Sequence, residues 1–373
     1  MVPGTSVWIV ANTTWYVFNF RSRLIRELIQ GGYAVTVLSP ADEYVARVRA
    51  LGVRHVHLEM DNSGTNPVRD AALLARLVAL LRKERPGMLL TCTPKVNIYC
   101  SIAAKWTNVP VVANVSGLGT GFIRGGWLTA LVKLLYRAAL RHPRRVFFQN
   151  EDDRSQFVRG GLVARERTQR LPGSGVDVQR FVPVARAGGG KFVFLFIGRL
   201  LSDKGIREYI AAARVVRSGS PDVECRVLGF IDRGNPTAVS PGEVRIWEEE
   251  RTIRYLGSAD DVMPHLAEAD CVVLPSYREG CPRSLLEAAS MGIPLITTDV
   301  PGCRQVVDDG INGFLCRPYD PVDLAEKMKK MFCLSVFERS QMGAAGRIKM
   351  LNEFDEKIVL DQYMKAVREF SGK

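Results

Sequence analysis

Two glutamates, Glu279 and Glu287, stand eight residues apart in the stretch YREGCPRSLLEAASMG, which runs from Tyr277 to Gly292. An apolar run, DCVVLPS, precedes them and reads as a buried strand, with YREGC as the loop at its carboxyl end. Pro282 suits the first position of a helix, and RSLLEAAS continues that helix to a glycine stop. The amides of Arg283, Ser284 and Leu285 at such a helix start can cradle an anion. Glu279 in the loop then reaches the part of a ligand beyond that anion, and Glu287 can accept hydrogen bonds from a vicinal diol such as ribose. A diphosphate on the helix, a ribose on Glu287 and sugar hydroxyls on Glu279 together describe a nucleotide-sugar. A plainer reading stays open on these residues alone: a charged surface helix whose glutamate favours the helix dipole.

A second stretch adds weight. LFIGRLLSDKG ends a strand and puts Arg199 and Lys204 in the following loop. A departing nucleoside diphosphate needs cations, and guanidinium and ammonium groups can supply them without a metal. Loop solvation is the alternative for these two residues.

The elements that must position these side chains follow from alternation. In the first half VWIVAN, AVTVLS, GMLLTC, VPVVANV and RVFFQN read as strands, and in the second KFVFLFIG, ECRVLGF, IRYLG, DCVVLPS and PLITTD do likewise. Amphipathic runs such as FRSRLIRELIQGG and NPVRDAALLARLVALLRKERPG lie between them, which predicts α/β architecture with parallel sheets covered by helices on both faces. A length of 373 residues suits two domains. The glycine-rich segment 183–191 is the best joint, so two Rossmann-like domains are expected, with ligands at the carboxyl ends of their strands.

Charge divides along the same line. Up to Gly190 there are 26 Lys and Arg against 12 Asp and Glu, a net +14; from Lys191 onward 25 face 27, a net −2. A basic half suits nucleic acid, an anionic membrane or a phosphate-bearing ligand, or it is a solvated surface. Segment 121–148 pairs Trp127, Leu128, Leu131, Leu134 and Leu135 with Lys133, Arg137, Arg141, Arg144 and Arg145. That is the pattern of a helix lying in a headgroup plane, although an ordinary sheet-covering helix has the same periodicity. No run of about 18 apolar residues is present, and the first residues lack the basic and apolar regions of a signal peptide. The eight scattered cysteines form no C-x-x-C pair, which speaks against a zinc module or disulfide framework and for a reducing cytoplasm. GLGTG and GSGVD are not dinucleotide fingerprints. His55 and His57 share a strand face without a third ligand. Of the acidic pairs 152–153, 260–261 and 308–309, the last reads as a turn in DDGING. No essential metal is expected.

GRLLSDKG, LGSADDV and LPSYREGCPRSLLEAASMGIPLITTDVPGCRQVVDDGINGFL together resemble the core of the retaining glycosyltransferases of family 4, whose fold is GT-B: two Rossmann-like domains facing across a cleft. The resemblance implies that Arg199, Lys204 and Glu279 act in catalysis on the diphosphate and donor sugar. Glu287 would hold the ribose, with Gly198, Gly229, Ser258, Gly280, Cys281, Pro282, Arg283, Ser284 and Leu285 as donor-binding positions. It implies an acceptor domain of residues 1–183, a donor domain of residues 190–354, and a last helix, within 355–373, that packs back on the first domain. NTTWYVFNFRSRLIREL, TPKVNIYCSIAAKW, NVSGLGTGF and FFQNEDDRSQF resemble a narrower group, bacterial enzymes that add N-acetylhexosamines to undecaprenyl-diphosphate-linked sugars. From that likeness Asn12, Thr14, Tyr16, Arg21, Lys95, Asn97, Ser116, Gly117 and Gly119 are the expected acceptor-binding residues. One departure matters. Many relatives carry a histidine where this chain has NVSGLGTG, so Ser116, Gly117 and Gly119 would make that contact through the backbone.

The expected partners are a UDP-N-acetylhexosamine (GalNAc or GlcNAc), a polyprenyl-diphosphate-linked acceptor and the inner face of the cell membrane. Nucleic acid is not an expected partner; a nucleic-acid-binding protein using the basic half is a rival reading that would need stacking aromatics or a groove-reading helix. A transferase with a soluble acceptor and a non-catalytic nucleotide-sugar-binding module are the alternatives.

Overall fold

The computed structural model describes residues 5–61, 66–117, 126–184, 190–232 and 234–370, with the backbone alone for 126–128. The chain forms two compact units: residues 1–174 with 357–373, and residues 175–356. Each is built on one all-parallel sheet, so the expected α/β class with two Rossmann-like domains is what is found. Residues 175–183, placed with the first half by the sequence reading, belong to the second unit. Residues 185–189 of the glycine-rich segment lie outside the described residues.

The first unit holds β1 (Ser6–Val10), β2 (Ala34–Ser39), β3 (Arg54–His57), β4 (Met88–Cys92), β5 (Val111–Val115), β6 (Arg145–Phe148) and β7 (Thr168–Arg170), in the order β3-β2-β1-β4-β5-β6-β7. Both faces are covered, which is why its strands are continuous apolar runs. In β1 the period of two is visible in the packing. Val7 and Ile9 enter one core with Leu24, Ile25 and Leu28, while Trp8 and Val10 enter the other with Leu73, Leu77 and Leu81. The last helix, Glu356–Phe370, supplies Val359, Leu360, Tyr363, Met364 and Val367 to the first of these cores. Tyr363 meets Phe147 edge-on, with ring centroids 5.0 Å apart.

Helix boundaries follow local chemistry. Asn66 caps helix Pro67–Glu84 by accepting from the amides of Val68 at 3.0 Å and Arg69 at 3.3 Å, and Arg85 ends it in the left-handed region ahead of Pro86. His55 and His57 serve β2's end: His55 Nε2 lies 3.1 Å from the Ser39 hydroxyl, and His57 Nδ1 accepts from the amide of Ala41 at 3.0 Å.

The second unit holds β8 (Phe192–Ile197), β9 (Val223–Leu228), β10 (Arg254–Tyr255), β11 (Cys271–Leu274), β12 (Leu295–Thr298) and β13 (Gly313–Cys316), in the order β10-β9-β8-β11-β12-β13. Short β7 and β13 are additions to the strands read from sequence, and β3 extends the single strand on which the two histidines were placed. Residues 175–182 are bound into this unit by Arg347, whose guanidinium donates to the carbonyls of Phe181 at 2.8 Å, Val178 at 2.7 Å and Ser290 at 2.9 Å. Where the chain enters and leaves the unit, Val176 and Glu356 lie side by side. The Val176 amide donates to Phe354 O at 2.9 Å, and the Glu356 amide to Val176 O at 3.0 Å. The pair 308–309 sits in a turn, where Lys349 holds Asp308 at 2.6 Å and Asp309 accepts from the amide of Leu315 at 2.8 Å.

Gly302 takes φ +83°, and a Cβ there would lie 2.3 Å from the carbonyl oxygen of Glu279. Gly310 has a similar φ of +77° with open space around it. Gly302→Ala therefore costs both backbone strain and a shift of the Glu279 loop, roughly 3 kcal/mol or more. Gly310→Ala costs only the strain, about 1–2 kcal/mol. Urea midpoints of the two variants check this, and equal losses would deny Gly302 its role under the loop.

Candidate functional site

In a doubly wound sheet the crevice opens where strand order reverses. In the second unit that point lies between β8 and β11, which are neighbours although β9 and β10 intervene in sequence. The loop after β8 contains Gly198, Arg199 and Lys204; the loop after β11 contains Glu279. The structure brings Lys204 and Glu279 into direct contact as an ion pair. Ser276 also donates its hydroxyl hydrogen bond to Glu279 Oε1, at 2.8 Å. Both loops are further joined by backbone, the Tyr277 amide donating to Asp203 O at 2.9 Å, and the Glu279 amide ties the β11 loop to the segment after β12 through Pro301 O at 3.1 Å. Tyr277 adds a side-chain tie through its hydroxyl, 2.7 Å from Glu208 Oε1.

Helix Arg283–Ser290 begins one residue later than the sequence reading had it, with Pro282 as its cap residue. The amide of Leu285 is spent on Pro282 O at 3.1 Å. The other two residues expected to cradle an anion, Arg283 and Ser284, open the helix. Glu287 is buried, with 8% of its surface exposed, and accepts from Arg283 Nε at 2.7 Å. Burial raises its pKa, and the Arg283 guanidinium opposes that rise. Arg180 and Asp261 are also close enough to influence it, and they pair with each other at 2.8 Å. Arg199 is exposed and pairs with Asp232 at 3.0 Å.

The remaining expected donor residues lie on the same edge. Gly198 donates its amide to Leu228 O at 3.1 Å, and Gly229 donates to Gly257 O at 2.8 Å, which places Ser258 beside the end of β9. Gly280 is buried and Cys281 half-exposed. Ser276, Asp232, Arg180 and Asp261 were missed by sequence reasoning. Each is a common polar residue in a loop, and only the fold brings it beside a candidate side chain.

In the first unit the corresponding reversal is at β1 and β4. Asn12 follows β1 and is half-exposed, as are Tyr16, Ser116 and Gly117. Thr14 is buried, and both its amide, at 2.8 Å, and its hydroxyl bond to Asp42. Arg21, 3% exposed, donates to Tyr16 Oη at 3.0 Å, Phe20 O at 2.7 Å and Ser174 Oγ at 3.3 Å. Lys95 pairs with Asp70 at 2.6 Å, and Tyr99 donates to the same carboxylate at 2.8 Å. Asn97 is buried between Thr91 at 2.7 Å and Asn114 O at 2.8 Å. So Thr14, Arg21, Lys95 and Asn97 are engaged inside the protein, with the Tyr16 hydroxyl as a partner of Arg21, while Asn12, Ser116 and Gly117 are half-exposed. Gly119 lies outside the described residues. Among the described residues, no group of three or more His, Cys, Asp or Glu stands together in a metal-ligand arrangement, and no helix is long and apolar enough to cross a membrane.

Glu287 gives this site a pH signature. A carboxyl whose folded pKa exceeds its unfolded one keeps its proton longer in the native state. Native stability then falls as pH rises from the ordinary glutamate range toward the folded pKa. Glu287→Gln removes that dependence and leaves Arg283 an acceptor oxygen. Its stability relative to the native chain should therefore grow as pH rises above the ordinary glutamate range, read from urea midpoints. A flat difference over that rise would show that burial does not dominate at Glu287.

Residues 20–174 match the family described as Glycosyl transferase 4-like domain, and residues 191–333 match Glycosyl transferases group 1. The chain is 26% identical, over 94% of both proteins, to N,N'-diacetylbacillosaminyl-diphospho-undecaprenol alpha-1,3-N-acetylgalactosaminyltransferase of Campylobacter jejuni. It is 27% identical to UDP-Gal:alpha-D-GlcNAc-diphosphoundecaprenol alpha-1,3-galactosyltransferase of Escherichia coli, over 66% of this chain and 67% of that one. Among solved structures, Anabaena Alr3699/HepE in complex with UDP and glucose superposes with a TM-score of 0.80 at 16% identity, covering 98% of this chain and 100% of that one. A glycosyltransferase from Rickettsia africae superposes with 0.78 at 17% identity and 99% coverage of both. With a glycosyltransferase family matched in each unit and the GT-B fold throughout, the chain is a glycosyltransferase, its first unit of the Glycosyl transferase 4-like family and its second of Glycosyl transferases group 1.

Proposed function

We propose that this glycosyltransferase moves an N-acetylhexosamine, GalNAc or GlcNAc, from a uridine diphosphate donor to a sugar carried on undecaprenyl diphosphate, with retention of anomeric configuration. The observation that carries the reading is the meeting of Lys204 and Glu279 at the β8–β11 reversal, with Arg199 and the open helix end at Arg283 on the same edge. The Campylobacter relative, aligned over nearly its whole length, supports the choice of donor and acceptor.

In this reading the donor diphosphate takes the place that carboxylates hold in the free chain. Arg199 leaves Asp232 and Lys204 leaves Glu279, and both cations turn to phosphate oxygens, which releases Glu279 to accept from donor-sugar hydroxyls. Glu287 accepts from the ribose. The bond from the anomeric carbon to the phosphate oxygen breaks as the acceptor oxygen bonds to that carbon from the same face. The departing phosphate oxygen takes the acceptor's proton. Arg199 and Lys204 stabilise the charge that develops on the nucleotide, so catalysis is positioning and electrostatics. Asn12, Tyr16, Ser116 and Gly117 are the acceptor-facing groups.

Transfer is measured with UDP-GalNAc and UDP-GlcNAc, using an undecaprenyl-diphosphate-linked sugar or a soluble glycan as acceptor. The lipid-linked acceptor should be preferred, and a chelator should leave the rate unchanged. Arg199→Ala and Lys204→Ala should each lower turnover by about 10²–10³. Glu287→Ala should weaken UDP binding by calorimetry. Transfer to the soluble acceptor alone, or loss of activity in chelator restored by magnesium, would overturn this reading.

Helix Gly126–Ala139 supports contact with the membrane that bears such an acceptor. Its Leu135, Tyr136 and Ala139 pack inward against the sheet, whereas Leu131 and Leu134 are 42% and 61% exposed beside the exposed Lys133. Trp127 and Leu128, expected on the same face, have no described side chains. Two of the expected surface cations are occupied: Arg137 donates to Gly160 O at 2.9 Å, and Arg145 pairs with Glu369 at 3.2 Å. Leu131→Ser with Leu134→Ser should reduce binding to anionic vesicles at least tenfold, since burying a leucine contributes about 1.5–3 kcal/mol. Binding as tight as that of the native chain would remove this helix from the membrane contact.

A further inference from the structure

At the end of the first unit's sheet away from Asn12 and Ser116, the amino ends of β5, β6 and β7 surround a cavity of about 470 Å³. Four arginines line it, Arg141, Arg144, Arg145 and Arg167, with Glu166 and Glu369 as its carboxylates. The walls come from four separate parts of the chain, Asn108 ahead of β5 among them. Arg141, Arg144 and Arg145 precede and open β6, Glu166 and Arg167 precede β7, and Glu369 ends the last helix.

The guanidiniums are not equally committed. Arg145 is paired with Glu369 at 3.2 Å and lies over the Phe370 ring, 5.6 Å from its centroid. Arg167 donates to the carbonyl of Arg141, a neutral group that fixes its direction and leaves its charge uncompensated. Arg141 and Arg144 are exposed, and neither pairs with a carboxylate among the described residues. The lining thus carries four positive and two negative charges around a space large enough for a small ligand. Several planar guanidiniums lining one space, that of Arg167 fixed by a backbone bond, suit an oxyanion with several acceptor oxygens. Because substrates of this fold meet the carboxyl ends of the strands, a ligand at the amino ends is not the transferred sugar's donor or acceptor.

We propose that this cavity is a second anion site, separate from the transfer site, that binds a phosphate group. The phosphate is either that of an anionic phospholipid headgroup or a soluble one such as pyrophosphate. The proposal does not depend on the choice of donor or acceptor made above.

The test uses the full chain and Arg141→Gln/Arg144→Gln, two exposed positions whose exchange leaves the core intact. Inorganic pyrophosphate is titrated by calorimetry with UDP present to fill the second unit, and flotation is measured with phosphatidylglycerol and with phosphatidylcholine vesicles. UDP affinity serves as the check on folding. Pyrophosphate binding that weakens at least tenfold in the double variant, with no preference for phosphatidylglycerol, supports the site with a soluble ligand. A phosphatidylglycerol preference that pyrophosphate competes away and the variant loses supports it with a headgroup. If neither probe binds the native chain, or if the variant binds both as tightly, the site does not exist. Pyrophosphate binding retained in the Leu131→Ser/Leu134→Ser variant would support this site as separate from the membrane contact of that helix.

Discussion

The contact between Lys204 and Glu279 is the interaction around which the second unit's site is arranged. A carboxylate so little exposed requires a partner, because an unpaired buried charge costs far more than a pair. The partner comes from the loop after the neighbouring strand, so the pair is possible only where β8 and β11 lie side by side. Everything nearby holds those two loops in register. Asp203 accepts from both the amide and hydroxyl sides of the β11 loop through Tyr277 and Ser276. Thr298, at the end of β12, bonds to Ser276 O, and Gly302 lets the chain pass close beneath Glu279.

The same economy of charge runs through the site. Arg199 faces Asp232, Arg283 faces Glu287, and Arg180 faces Asp261. Each cation that a diphosphate would attract already has a carboxylate of this chain beside it. The exposed pairs contribute little to stability, on the order of 0–1 kcal/mol, so an incoming anion has little to displace there. Glu287 differs, because its surroundings are dry and its own charge is disfavoured.

Much of this was legible in the sequence, for identifiable reasons. Strand runs such as AVTVLS were readable because a sheet covered on both faces demands continuous apolar residues, and AVTVLS became β2 without a shift at either end. The glutamate spacing and the glycine stop announced helix Arg283–Ser290, although the cap fell on Pro282 because its carbonyl, bonded to Leu285 and Leu286, starts the helix. Short strands such as Thr168–Arg170 gave too few residues for a pattern. In the first unit, side-chain type was a weak guide. Lys95 and Arg21 are the cations one would assign to a ligand, yet Asp70, 25 positions upstream, holds the first, and Tyr16 and Ser174 hold the second. The helix of segment 121–148 showed one broad apolar face in sequence. The fold divides it into an inward stripe through Leu135 and Tyr136 and an outward pair, Leu131 and Leu134.

The side-by-side passage of Val176 and Glu356 has a consequence for the order in which the molecule is made. The second unit is an insertion, continuous in sequence, within a first unit whose chain is broken in two. On a ribosome, which releases residues from the amino end, the first unit's sheet emerges earliest. One of its faces nevertheless waits for Val359, Leu360, Tyr363, Met364 and Val367, which follow the whole second unit in sequence. The nascent chain therefore carries an uncovered apolar face for the whole time that the second unit is being synthesised. The part begun first is the part completed last.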